Sequence, residues 1–174
     1  MRSLGLALFP VLATVAYAQP NIAIREVPGH RTEATVDLDA PPDKVYAAMT
    51  NYDRWQTFLT DVKSLHVLSG GRENAKVRTE SRSLGSEVTI AFQNIPNKAM
   101  RFTLIDGPPG ARGSGELVLV PLDNGARTRV RAMLYLEVVG LPGWFVSDSR
   151  LRTARQGKLR QDLTDLGRAF RSST

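Results

Sequence analysis

Residues 34–55 run from an alternating strand through a Pro-Pro corner into a short helix and then an aromatic pair, and no other stretch limits the fold of this chain as strongly. Val36 and Leu38 point to one face while Asp37 and Asp39 point to the other, the pattern of a half-buried strand. Pro41 ends that strand. Pro42 has no amide hydrogen to leave unpaired and its φ is already near the helical value, so it suits a first helical turn, and Asp43 puts a negative charge beside the helix N-terminus. Val45, Ala48 and Met49 then fall at i, i+3, i+4 spacing and give the helix one apolar side, with Asn51-Tyr52-Asp53-Arg54-Trp55 behind it.

The chain has 174 residues, and its first 18 have the pattern of a secretory signal: Met1-Arg2 as a positive start, an apolar run from Leu4 to Ala16, and Ala16-Tyr17-Ala18 as a small-x-small cleavage site. Cleavage after Ala18 and a periplasmic or secreted mature chain are the expectation, with a retained N-terminal anchor as the alternative. The apolar run falls short of the roughly 20 residues of a comfortable membrane span. There is no cysteine, which excludes disulfides and lipid attachment at cysteine and leaves packing to hold the core. Residues 19–31, with two prolines and a glycine, read as an extended lead-in with room for a short strand, and 32–172 as a single domain. Lys and Arg number 23 against 17 Asp and Glu, and Arg2 is the one charge inside the signal segment, so the mature domain stays basic. Such a surplus permits attraction to an anionic membrane surface. The basic residues are scattered and the aromatics form no interleaved motif, which argues against nucleic acid.

The middle of the chain reads as an antiparallel meander. Turn signals fall at Gly70-Gly71, Leu84-Gly85-Ser86, Ile95-Pro96-Asn97, Gly107 to Gly115 and Asp123-Asn124-Gly125, and with the opening strand they delimit seven strands. Asn124-Gly125 reads as a two-residue type I′ turn pairing 115–122 with 127–138. On 75–82 the inward residues Ala75, Val77, Thr79 and Ser81 are small and partly polar, whereas 127–138 presents Thr128, Val130, Ala132, Leu134, Leu136 and Val138. Small residues on one wall facing long aliphatics on another suit a cavity, and a curved sheet packed tightly on a helix is the alternative.

The last segment, 144–170, reads as one helix. Leu159, Leu163, Leu166 and Phe170 share a stripe that extends back through Phe145, Pro142-Gly143 marks the start, and Ser172-Ser173 the frayed end. At 1.5 Å per residue such a helix reaches ~40 Å, enough to cross a curved sheet. Strand, two short helices, six strands and a long terminal helix, with the opening stretch and Gly-Leu-Pro-Gly-Trp-Phe at 140–145, resemble the polyketide cyclase/lipid-transport superfamily, also called SRPBCC or START-like. The resemblance covers about residues 32–170. It implies an α+β helix-grip fold: a seven-stranded curved antiparallel sheet wrapped around a long C-terminal helix, with two short helices after the first strand. It also implies a hydrophobic cavity for lipids, quinones, sterols or polyketides, which some branches cyclise.

Catalytic signatures are thin. His30 and His66 lie in no metal-binding spacing, Gly113-Ser114-Gly115 lacks a residue of a nucleophile elbow, and Gly107 to Gly115 lacks the Gly-Lys-Ser/Thr of a phosphate loop and reads as a flexible cavity-mouth loop. No cofactor or metal is implied. Inward register nominates Val77, Thr79, Phe92, Phe102, Leu117, Val130, Leu134, Leu159 and Leu163 as ligand-binding residues. Arg152 joins them because it sits near the centre of the helical stripe; it reads either as a clamp for an anionic or carbonyl head group or as a side chain in water over an overhanging helix end. Gly157 reads as a kink or a close contact. Three functions stay open: carrying or sensing a hydrophobic small molecule, cyclase or aromatase chemistry using residues such as Tyr46, Tyr135, Glu116 or Arg152, and a cavity-free interaction module. Arg127, Arg129 and Arg131, with the basic segment 150–160, form a candidate membrane-facing surface.

Overall fold

In the computed structural model, which describes residues 20–83, 85–140 and 146–171, eight strands form one antiparallel sheet in the order β1-β2-β8-β7-β6-β5-β4-β3. They are β1 (Ala23–Val27), β2 (Arg31–Leu38), β3 (Val62–Gly70), β4 (Asn74–Ser81), β5 (Ser86–Ile95), β6 (Ala99–Asp106), β7 (Ala111–Leu122) and β8 (Arg127–Val138). The helices are α1 (Pro42–Met49), α2 (Trp55–Phe58) and α3 (Asp148–Ala169), with a 3₁₀ turn at Tyr52–Arg54. The helix-grip order is therefore present with eight strands, not seven. The extra one is β1, from the lead-in, which pairs Ala23–Val27 with residues 31–35 of β2. The expected signal segment lies outside the described residues, as do Leu84, residues 141–145 with Trp144 and Phe145, and Ser172-Ser173.

The opening stretch folds as its residues dictate. β2 buries Thr32, Ala34, Val36 and Leu38 on one side. Pro42 begins α1 after an extended Pro41, and Thr50 closes it by returning both its backbone N–H and its hydroxyl to the Tyr46 carbonyl. Trp55 donates its indole N–H to Met49 O at 2.9 Å, and its ring meets Tyr52 at 5.2 Å and Phe92 at 5.4 Å between centroids. The aromatic pair thus fastens α2 to β5. Ser147 caps α3, its side chain accepting from Arg150 N, so the helix begins at Asp148 and is shorter than the expected 144–170.

Three further expectations are corrected. The glycine-rich 107–115 is a loop only as far as Gly110, since β7 begins at Ala111 and keeps Gly113, Ser114 and Gly115 in register with Leu136, Tyr135 and Leu134. The Asn124-Gly125 turn has four residues: Leu122 pairs with Arg127, and Asp123, Asn124 and Gly125 all have positive φ. The outward stripe of Arg127, Arg129 and Arg131 is not a free positive surface. Arg127 bonds Asp39 and Asp123, Arg129 binds Asp37 with two N–H groups, and Arg131 reaches Glu33. Asp37 lies directly opposite Arg129 and Glu33 diagonally from Arg131 across the β2–β8 ladder, while Asp39 just past β2 and Asp123 in the turn take Arg127, so local ion pairing accounts for the stripe.

Candidate functional site

The concave face of the sheet is built by direct cross-strand partners, which point the same way. One row runs Ala75, Phe92, Phe102, Gly115, Leu134 and Thr32, and the next runs Val77, Ile90 and Leu104, with Gly113 beside Leu136. Of the nominated residues, Val77, Thr79, Phe92, Val130, Leu159 and Leu163 are buried, and Phe102, Leu117 and Leu134 are half-buried against the same core. The register was read correctly. Arg152 is the exception: its side chain is 53% exposed and pairs with Asp148, because this end of α3 overhangs the sheet. Gly157 faces open space, so no close contact requires it.

Burial is uneven across this face. α3 packs on β1, β2, β8 and α2, and beneath it Val36, Val130, Ala132 and Leu163 are sealed. Toward β5, β6 and β7 the inward side chains Ile90, Phe102, Leu104 and Leu117 keep part of their surface open, as do Leu134 and Leu136 at the end of β8. The result is a strip of part-open apolar side chains, an apolar trough on the concave face of the sheet. Gly115 shapes it: a Cβ there would lie 2.3 Å from Phe102 Cζ and 2.5 Å from Met133 O, so only glycine lets the Phe102 ring lie across β7. The ring continues the aromatic series from Trp55 through Phe92, 6.2 Å away. Two open surface clefts, of about 220 Å³ beside Phe58 and Arg168 and about 290 Å³ beside Tyr52 and Arg72, share none of these residues.

Two polar networks hold α3 over the sheet. In the first, Arg155 is 1% exposed and donates to Thr32 Oγ1, Leu136 O and Glu26 Oε2, while Thr32 and Gln156 both donate to Glu26 Oε1. Burial opposes ionisation of Glu26, but these donors outweigh it and lower its pKa. Sequence reasoning chose Arg152 and missed Arg155, whose acidic partner lies in the segment read as lead-in.

In the second network Lys158 donates to Asp162 at 2.7 Å and approaches Asp61 at 3.1 Å. Asp61 also accepts from Ser81 Oγ and Ser83 N. Burial would raise the Asp61 pKa, yet the Lys158 ammonium and the Ser83 and Ser81 donors hold it at about 2. Asp162 goes the other way, because burial and its acidic neighbours outweigh Lys158. Protein surrounds Asp162 closely enough to desolvate it, yet 32% of its side chain is accessible, as is 37% of that of Lys158. The sequence carries the Lys158–Asp162 i,i+4 spacing, but nothing in it joins Asp61 to them.

The other polar candidates separate. Tyr135 bonds Glu137 and Glu116 pairs with Arg101, both from the outer face. Tyr46 is buried, its hydroxyl has no partner among the described residues, and burial raises its pKa. His30 pairs with Asp148, joining the β1–β2 turn to the start of α3.

Known structures share this architecture. A START superfamily protein from Mycobacterium smegmatis superposes with a TM-score of 0.71 at 17% identity, covering 84% of this chain and 100% of its own. The Zhui aromatase/cyclase from a Streptomyces species gives 0.68 at 18% identity over 87% and 97%, and a Thermus thermophilus protein 0.63 at 20% over 83% and 99%. No curated protein matches the chain. The family described as polyketide cyclase / dehydrase and lipid transport matches residues 29–171, well over half of the chain, and the chain belongs to that family.

Proposed function

We propose that this protein binds a hydrophobic small molecule in the trough between α3 and the concave faces of β5 to β8, and carries or senses it without changing it. The observation that carries this reading is the row of inward apolar side chains, Ile90, Phe102, Leu104, Leu117 and Leu134, whose surface on the concave face stays partly accessible. Apolar surface kept accessible inside a fold costs about 25 cal/mol per Å² relative to burial, and a ligand recovers that loss. The ligand class of lipid, quinone, sterol or polyketide is taken from the family. Export to the periplasm or beyond is part of the proposal, supported by the pattern of residues 1–18. Native mass spectrometry of the protein purified from its own host, with solvent extraction of the same sample, is the test. A bound apolar molecule at near-stoichiometric amount is expected, and its absence from both the native and the extracted spectra sinks the reading.

Cyclase chemistry is the second reading, favoured by one observation: Lys158 and Asp162 place an ammonium and a carboxylate side by side on partly accessible side chains of α3. Turnover of a linear polyketide that is lost in Asp162→Asn would support it over simple carriage.

A further inference from the structure

We propose, building on the reading that the trough holds a hydrophobe, that one end of the sheet docks on an anionic membrane and presents the trough to the lipid. In the antiparallel order the β1–β2, β4–β5 and β6–β7 turns, the end of β8 and the start of β3 all lie at that end. The bond between His30 and Asp148 brings the start of α3 to it as well. The accessible apolar side chains crowd toward it. Ile90, Leu104 and Leu136 keep part of their surface open, while four residues along the same strands toward the other end Asn94, Met100 and Ala132 are buried.

Charge separates the two ends. At the open end Arg31, Arg82, Arg112 and Arg150 are exposed and have no ion pair among the described residues. The nearby pairs Lys63–Glu80, Arg78–Glu87 and Arg152–Asp148 balance themselves, which leaves Asp106 and Glu137 against four guanidinium groups. At the opposite end the charges cancel. Asp43-Lys44, Asp53-Arg54 and Arg72-Glu73 adjoin in sequence, and Arg127 and Lys98 stand against Asp39 and Asp123. The open end also carries Ile105, at 50% the most exposed large hydrophobic side chain among the described residues, just before the exposed Pro109 of the β6–β7 turn. A bilayer with negative lipid matches both features: it attracts each basic side chain near its surface and takes the isoleucine out of water. The paired stripe of Arg127, Arg129 and Arg131 offers neither.

Cosedimentation with phosphatidylcholine vesicles, with and without phosphatidylglycerol and at low and high salt, tests the assignment. Wild type and variants are expressed in the protein's own host, so that all carry the natural N-terminus. Wild type should pellet with the anionic vesicles at low salt, leave them at high salt and ignore the neutral ones. Arg112→Gln combined with Arg150→Gln should lower partitioning about 30-fold, from about fivefold per charge, and neither arginine has an ion-pair partner whose loss would disturb the fold. Arg54→Gln combined with Lys98→Gln removes the same charge from the other end and should stay within about twofold of wild type. Equal losses in the two double variants overturn the docking end in favour of attraction by net charge, and a wild type that binds both vesicle types alike, or neither, overturns it as well. Wild type that ignores vesicles but is retained on immobilised polyglutamate overturns it in favour of an acidic protein partner. An empty trough in native mass spectrometry is a separate failure, that of the binding reading, because sedimentation scores the surface alone.

Discussion

The two sides of the sheet under α3 differ in how they are finished. Beneath β2 and β8 the interior is closed: Val36, Val130 and Leu163 are at most 1% exposed, and Arg155 plugs the remaining polar gap with three acceptors. Toward β5, β6 and β7 the same inward register carries residues of similar hydrophobicity, yet Ile90, Phe102 and Leu117 are only half-buried, and glycines at 113 and 115 lower the floor. One sheet therefore supplies stability on one side and accessible apolar surface on the other. Burial, not residue type, separates the core from the site.

Paired truncations break that comparison most directly. Leu163→Ala on the closed side removes a side chain whose surroundings cannot collapse onto the gap, and about 3–4 kcal/mol of unfolding free energy should be lost. Leu134→Ala on the open side leaves a space that solvent already reaches, so about 1 kcal/mol is expected there. Urea unfolding followed by circular dichroism measures both. Equal losses would mean that the two sides are packed alike and the trough is not open.

Arg155→Met comes next. It keeps much of the stem but removes the guanidinium, leaving Glu26 with only Thr32 and Gln156. Breaking one member of a buried pair costs about 3 kcal/mol, here at the lower end because Glu26 is 28% exposed and partly hydrated. The β1 strand should also detach from α3, which hydrogen exchange at residues 23–27 would show as faster than in wild type. Unchanged protection would place the anchoring of β1 in its β2 ladder alone.

The legibility of the molecule follows the range of its interactions. The strand-corner-helix opening, the alternation of β4 and β8 and the Leu159, Leu163, Leu166 stripe are local patterns, and they gave the architecture and the inward register of the core. β1 was hidden by Pro20, Pro28 and Gly29 and by its charged residues, which are there to meet Glu33 and Arg155. The helical stripe singled out Arg152 because periodicity carries no knowledge of where α3 leaves the sheet. The glycines of β7 read as a loop, although Gly115 is set by the Phe102 ring across the ladder. Asp61 joins Lys158 over a long sequence separation, so this buried ion-pair network emerges only on folding.

That network also sets a pH dependence. Asp61 has its folded pKa at about 2, below an ordinary value of 3.8, so it contributes stability that is complete above pH 4 and disappears as pH falls through about 2. The contribution at neutral pH is about 2 kcal/mol. Asp162 has the opposite sign: its raised pKa costs stability as pH rises through and above 3.8, so the whole protein's acid curve mixes the two. The difference between wild type and Asp61→Asn isolates the first. It should be near 2 kcal/mol at pH 7 and close to zero at pH 2, and a difference that does not change with pH would assign the role of Asp61 to shape and not to charge.

The smallest effect is expected on the outer face, where the arginine stripe of β8 meets the acids of β2. Arg129 and Asp37 are both substantially open to water, the guanidinium side chain at 45%, so solvent and salt screen the pair despite its two short hydrogen bonds. Arg129→Gln should leave the urea midpoint unchanged within error. The same pairing decides whether this face docks on lipid. With Asp37, Asp39 and Glu33 interleaved among Arg127, Arg129 and Arg131, the local charge is nearly balanced, and an anionic bilayer gains little from approaching it. Sedimentation with anionic and neutral vesicles should therefore show no loss of binding in Arg129→Gln at low salt. A clear drop would mean that the membrane pulls the arginines out of their ion pairs, and it would make the outer face, and not only the trough, part of the working surface.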